Sequence, residues 1–338
     1  MAKSGRFTLR AVVLAALVGL ATFAASVVGP GDFSWADAWG VAWRRGEADP
    51  AGGLAHVILW ELRFPRLLLV LLVGAALSVA GVVTQGLFRN PLAEPGILGV
   101  STGAATTVIA GFALGLDESA LWVSPALAGL GAGGTLAALY VLAGPRASST
   151  LLLLTGVALS CVAGALGTCI LSLSLDSWDF SRKALAWMLG SFDGRGWAHV
   201  GWGVTPIALG LVLAVTMHRS LDALYLGEDT AATLGVRPGR LRIGVAVVVA
   251  LLVGTSTALV GAIGFLGLVV PHIARRLAPP GHARLIVVSA LLGALLLLGV
   301  DTVTRALTPR HVAPGALTSL IGGTFFAWLL HRRRAESP

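Results

Sequence analysis

Charge is scarce in this sequence: only 12% of its 338 residues are Asp, Glu, Lys or Arg. A soluble domain needs about 25% to keep its surface wet, so a water-soluble fold is excluded. Lysine is nearly absent, represented by Lys3 and Lys183 alone. A phosphate-binding loop needs Gly-x-x-x-x-Gly-Lys-Ser/Thr, but Lys3 has no room for the preceding glycines and Ala184 follows Lys183. The chain therefore lacks that route to ATP hydrolysis, and no catalytic residue is assigned. Cysteine is limited to Cys161 and Cys169, roughly 12 Å apart along a helix. That is too far for a disulfide, and packing residues are expected there. None of the histidines (56, 199, 218, 272, 282, 311 and 331) pairs with another at helical spacing. No metal or cofactor site is expected, and no nucleic-acid motif is present.

What remains is apolar. Hydrophobic residues make up 56%, mean hydropathy is +0.86, and there are 44 glycines, a composition suited to small-residue helix packing in lipid. An all-α, polytopic membrane protein forming a single transmembrane domain over 1–338 is expected. Nine windows contain no charge: 11–28, 67–88, 95–116, 121–143, 150–175, 198–217, 243–274, 285–300 and 316–330. A span needs about 20 residues. As one helix the seventh window would run roughly 48 Å, and Gly261-Ala262-Ile263-Gly264 offers a turn within it. Splitting there gives ten transmembrane helices. It also puts 15 of the 24 Lys and Arg on the side of both termini, which the positive-inside rule makes cytoplasmic. Nine spans would erase that bias. The basic balance thus reports topology. The first window follows Lys3, Arg6 and Arg10 as a signal peptide would, but is longer than a signal core and is kept as a span.

Nine of the ten tryptophans (35, 39, 43, 60, 122, 178, 187, 197 and 202) fall on the external side or at its span ends, an interfacial belt. Trp35, Trp39 and Trp43 repeat every four residues after Ser34, predicting a short helix on the outer surface. The spans themselves carry no central ionisable residue, which weakens an ion-coupled carrier. Polar backbone could still bind sodium.

Three segments are more ordered than lipid filling requires. Arg63-Phe64-Pro65-Arg66 precedes a span that ends in Gln85-Gly86-Leu87-Phe88-Arg89-Asn90-Pro91-Leu92-Ala93-Glu94-Pro95-Gly96-Ile97-Leu98-Gly99, whose Asn-Pro and Glu-Pro mark a tight cytoplasmic loop. The second is Leu226-Gly227-Glu228-Asp229-Thr230-Ala231-Ala232-Thr233-Leu234-Gly235-Val236, inside the 218–242 loop. The third is Gly264-Phe265-Leu266-Gly267-Leu268-Val269-Val270-Pro271-His272-Ile273-Ala274-Arg275-Arg276. With these segments the chain resembles, from about Arg63 to Leu330, permease subunits of the family that imports iron–siderophore complexes, haem and vitamin B12 through ATP-binding-cassette transporters of type II. The resemblance implies a vitamin B12 permease-like fold. It implies as partners a second permease copy, identical or paralogous, two ATPase subunits, and a periplasmic or lipid-anchored substrate-binding protein. It places the chain in the bacterial cytoplasmic (inner) membrane, with an iron–siderophore as the expected substrate and haem or vitamin B12 as alternatives.

Site roles follow from the same resemblance. The 226–236 segment matches a coupling helix seated in a groove of the ATPase, with Leu226, Gly227, Glu228, Asp229, Ala231, Ala232, Leu234 and Gly235 as its residues. Its residues agree independently: alanines favour helix, glycines bound about two turns, and Glu228 and Asp229 suit the positive end of the dipole. Arg63, Arg66 and Arg305 match arginines that receive acidic residues of the binding protein, a task suited to the guanidinium fork. Snorkelling to headgroups, or an internal pair between Asp301 and Arg305 one turn away, would explain them as well. Leu171, Ser172, Ser174 and Leu175 close the fifth span and could form part of a gate, followed by an external stretch over about 176–197. Arg195 within it either faces an anionic substrate or is an external turn residue. His272, beside Pro271, is expected to be a structural hydrogen-bonding residue. One departure stands out. His311-Val312-Ala313-Pro314-Gly315 replaces the usual Glu-Leu-Pro-Val-Gly, and Thr324 stands where proline is usual.

Overall fold

A computed structural model describes residues 2–28, 34–43, 56–116, 122–144, 147–174, 178–307 and 312–336. Every regular element among them is helical. In chain order these are α1 (Ala2–Val27), α2 (Trp35–Trp43), α3 (Val57–Phe88), α4 (Val100–Ala113), α5 (Val123–Ala143), α6 (Ser149–Leu173) and α7 (Trp178–Met188). They continue as α8 (Trp197–Thr216), α9 (His218–Tyr225), α10 (Glu228–Thr233), α11 (Pro238–Val260), α12 (Leu266–Leu277), α13 (His282–Leu307) and α14 (Pro314–Glu336). Among the described residues seven helices (α1, α3, α5, α6, α8, α11 and α13) are long and apolar enough to cross a membrane. Val100–Ala113 and Pro314–Leu329 are shorter apolar helices.

The charge-free windows locate these helices well, and the predicted break in the seventh occurs where expected. Helix α11 ends at Val260, Gly261 takes φ +79, and α12 starts at Leu266. A side chain at Gly261 would collide with the Trp187 carbonyl, so backbone conformation and close approach both require glycine there. The 95–116 window behaves differently. Its first four residues form a 3₁₀ turn, Pro95–Leu98, and only Val100–Ala113 is α-helical.

Contacts define two ends of the bundle. At one, Arg10 donates to the Leu277 carbonyl at 2.9 Å, Tyr140 donates to the Arg242 carbonyl at 2.8 Å, and His282 meets Asp222. This is the arginine-rich end. At the other, Trp197 Nε1 donates to the Trp60 carbonyl at 2.8 Å, with ring centroids 5.1 Å apart. The predicted α2 forms at this end, with Trp39 stacked on Trp43 and Phe23 against Trp35. Trp187 leaves the expected belt: it is buried in the core, with its carbonyl packed against the turn at Gly261. Cys161 and Cys169 are free, as their spacing predicts, yet exposed on α6 rather than packed within the chain.

Helix α3 is the axis, apolar on almost every face and buried along most of its length, as expected of a helix hydrophobic all round. Its neighbours approach through paired glycines. A methyl on Gly81 would overlap the Gly267 carbonyl of α12, and one on Gly74 would overlap Gly293 of α13. Lipid provides no hydrophobic drive between helices, so such close backbone contact supplies much of the cohesion. Gly81→Val should therefore separate α3 from α12 at a cost of about 3 kcal/mol. The check is the thermal midpoint in detergent, where Gly129→Val, at a position with open space around it, serves as the tolerated control.

Candidate functional site

At the arginine-rich end the 218–242 segment folds into α9, α10 and the start of α11. Gly227 takes φ +119 and Gly235 φ +84, so the predicted bounding glycines are the two places where left-handed backbone is needed. The helix between them has six residues, with Glu228 and Asp229 in its first turn. The Gly235 amide closes onto the Ala232 carbonyl at 3.0 Å and Val236 onto Ala231 at 2.9 Å. Glu228 is held by Arg242 at 3.0 Å, tying the start of α10 to α11. The two alanines point opposite ways. Ala231 is completely buried against the chain's own core, whereas Ala232 is exposed together with Leu226 and Leu234. Ala231 therefore seats the helix, and Ala232 is the alanine left on the surface.

At the opposite end the three predicted arginines converge, but inward. Asp301 on α13 has no exposed surface. Arg66 reaches it with Nε at 3.0 Å and Nη2 at 2.8 Å, and Arg305 with Nε at 3.0 Å. The internal Asp301–Arg305 pair, one of the readings open from spacing, is present. The other arginine atoms cap the end of α1: Arg63 Nη1 donates to the Ser26 carbonyl at 2.7 Å, and Arg305 donates to Val28 at 2.8 Å and Ala25 at 3.2 Å. Arg63 itself is buried, and Arg66 keeps 14% of its side chain exposed. Arg66 Nη1 also engages Asp193, a residue that sequence reasoning missed because 127 positions separate the two.

Among the proposed gate residues, Leu171 is half-buried beside the small cluster of Ile109, Phe180 and Ala184, Ser172 is exposed and Ser174 half-buried. Leu175 lies outside the described residues. Arg195 turns into the protein, its Nη1 3.2 Å from His199 Nε2. Burial lowers its pKa, with Asp193 opposing the shift. His272 packs edge-on against Phe325 at 5.7 Å. In the departing segment His311 is outside the described residues. Pro314 opens α14, and the Gly315 amide donates to the Gly190 carbonyl at 3.2 Å. Thr324, in place of proline, returns its hydroxyl to the Leu320 carbonyl at 2.9 Å.

Among the described residues the spans carry no central ionisable residue, but the loop after α3 carries one inward. Residues after Ala93 turn back along the bundle, where Pro95 touches Gly267 opposite Leu77, roughly 16 Å in from Phe88 by helical rise. Glu94 there accepts from the Phe265 amide at 2.6 Å, capping the start of α12. Nearby Gln85 donates to the Gly267 carbonyl at 3.0 Å and accepts from Arg275 at 2.6 Å. Pro95-Gly96 at the head of a nominal span was the available signal, since neither residue belongs in a helix interior. Among the described residues no group of three or more His, Cys, Asp or Glu is placed to hold a metal ion.

A helical bundle with multiple apolar spans, a charged rim at one end and a small exposed helix at the other has the architecture of a polytopic membrane protein. The chain belongs to the FecCD transport family, whose model matches residues 15–332. It is 42% identical over 297 residues to the Fe(3+) dicitrate transport system permease protein FecD of Escherichia coli K12, covering 87% of this chain and 92% of that one. It is 40% identical over 276 residues to the vitamin B12 import system permease protein BtuC of Salmonella paratyphi A, covering 81% and 84%. A solved structure described as an inward-facing conformation of a metal-chelate type ABC transporter superposes with a TM-score of 0.83 at 29% identity, covering 96% of this chain and 99% of that one. The chain is thus an ABC importer permease of this family, and its relatives are permease proteins rather than enzymes.

Proposed function

We propose that this chain is one half of the membrane pathway of an importer for an iron–siderophore complex, driven by a separate ATPase. It works as a dimer, with two ATPase subunits at the arginine-rich end, taken as cytoplasmic with both termini, and a loaded binding protein at the tryptophan-rich end. The bacterial inner membrane is its site, with ten spans per chain: the seven long helices, α4, α14 and the short α12. The observation that carries the reading is α10. Its exposed Ala232, with exposed Leu226 and Leu234 flanking the helix, sits at an end rich in charge, where an apolar tip needs a protein cover. On this reading α10 fits a groove of the ATPase, and nucleotide-driven motion there opens the central cavity alternately to each side. Leucines and valines exposed along α6, and Leu320, Ile321 and Trp328 on α14, are placed to meet lipid or the second copy. A ferric chelate brings its own metal ligands, so the pathway needs none. The match to the ferric dicitrate permease favours an iron chelate, and the match to vitamin B12 permeases supports cobalamin as the second reading.

In proteoliposomes, uptake of a radiolabelled ferric chelate should require the ATPase chains and ATP, and an ion gradient should not replace them. Uphill uptake by the permease alone would overturn the proposal. Deletion of the gene with growth on ferric siderophore, haem or cobalamin as the limiting nutrient separates the substrates.

A further inference from the structure

We infer that Asp193 occupies, within the chain, the position on Arg66 that a docking partner's carboxylate takes, and that its displacement loosens the outer closure of the bundle. This rests on the reading that a binding protein docks at the tryptophan-rich end. The argument starts from the two carboxylates that share Arg66. Asp301 takes the Nε and Nη2 edge, is wholly buried, and is pinned from the other side by Arg305. No outside group can reach it. Asp193 takes Nη1, and its side chain is 49% exposed. An incoming carboxylate can therefore engage Arg66 only where Asp193 already sits. The exchange replaces one carboxylate by another at a partly solvated pair, where the loss is small.

Asp193 is not a free-standing acid. Its amide donates to Ser191 Oγ at 3.1 Å, and the Ser191 amide donates to the Val260 carbonyl at 2.8 Å. The Gly190 carbonyl accepts from Gly315 at 3.2 Å. A side chain at Gly190 would collide with the Ala262 carbonyl, and one at Gly315 with the Leu189 carbonyl. Within three residues of Asp193, then, the end of α7, the end of α11 and the start of α14 are fastened backbone to backbone. The Arg66–Asp193 pair holds the near flank of this knot to α3, with the Trp197–Trp60 hydrogen bond four residues further on as a second tie. A partner that takes Arg66 removes the first tie, so docking at the rim is felt at the junction of three helices without contact to the junction itself.

The test uses the full transporter in nanodiscs, with its ATPase and binding protein. Asp193→Asn removes the resident competitor. Binding-protein affinity should rise about two- to fivefold, the range of an exposed ion pair, and Asp193→Glu should return it to the wild-type value. By hydrogen exchange, docking should deprotect the amides of 189–196 in the wild type, whereas in Asp193→Asn they should already exchange faster. Unchanged affinity and unchanged exchange in Asp193→Asn, with the thermal midpoint preserved, would overturn the inference. Arg66→Met separates the two readings: undiminished docking by that variant removes the docking assignment itself, whereas weakened docking with no effect of Asp193→Asn removes only the competition.

Discussion

Replacing Ala232 by arginine should abolish capture of the ATPase while leaving the permease folded. Ala232 lies on the exposed face of α10 with Leu226 and Leu234, and a long cationic side chain there holds the helix away from any closely fitted groove. A loss of at least thirtyfold in affinity, about 2 kcal/mol, is expected of a central interface position. Co-purification of the two chains from detergent measures it. The neighbouring Ala231→Arg gives the contrasting result, because that methyl is buried and a guanidinium there unseats α10 and lowers the stability of the permease itself. If Ala232→Arg binds the ATPase normally, α10 is not the coupling element.

The second large effect is at Asp301. Its buried carboxylate joins Arg66 of α3 to Arg305 of its own helix, and Asp301→Leu strips Arg305 of that carboxylate and leaves Arg66 with only the half-exposed Asp193. Removing one partner of a buried ion group costs about 3–5 kcal/mol, to be read as a fall of roughly 10 °C in the thermal midpoint. Replacing the whole triad, as Arg66→Met, Asp301→Leu and Arg305→Met together, should recover much of that loss, since well-packed apolar groups carry no desolvation penalty. The recovered protein should still fail to respond to the binding protein. A stable Asp301→Leu single variant would show that the triad does not hold α3 to α13.

These two sites show what a sequence discloses and what it withholds. The break at Gly261–Gly264 and the limits of α10 at Gly227 and Gly235 were legible because they depend on residues a few positions apart, whose backbone preferences act locally. The spans were legible because lipid excludes charge whatever the tertiary arrangement. Which alanine of α10 faces inward was not legible, since a six-residue helix has too short a pattern to display a face. The partners of Arg66 lie 127 and 235 positions away, and no local rule connects them. The inward turn of Glu94 was not legible for a related reason: its partner, the Phe265 amide at the start of α12, lies 171 positions away.

The capping of α1 has a consequence for engineering. That helix has little buried side-chain surface of its own over Phe7–Val27. Its last turn is instead gripped through carbonyls by Arg63 and Arg305. Carbonyl oxygens are the same in every residue, so the grip does not read the identity of the side chains it holds. The grip therefore sets the register of α1 rather than its sequence: a replacement apolar segment must deliver three carbonyls to the same place and keep the face through which Phe7, Leu14, Ala21 and Ala25 meet the core and Arg10 meets Leu277.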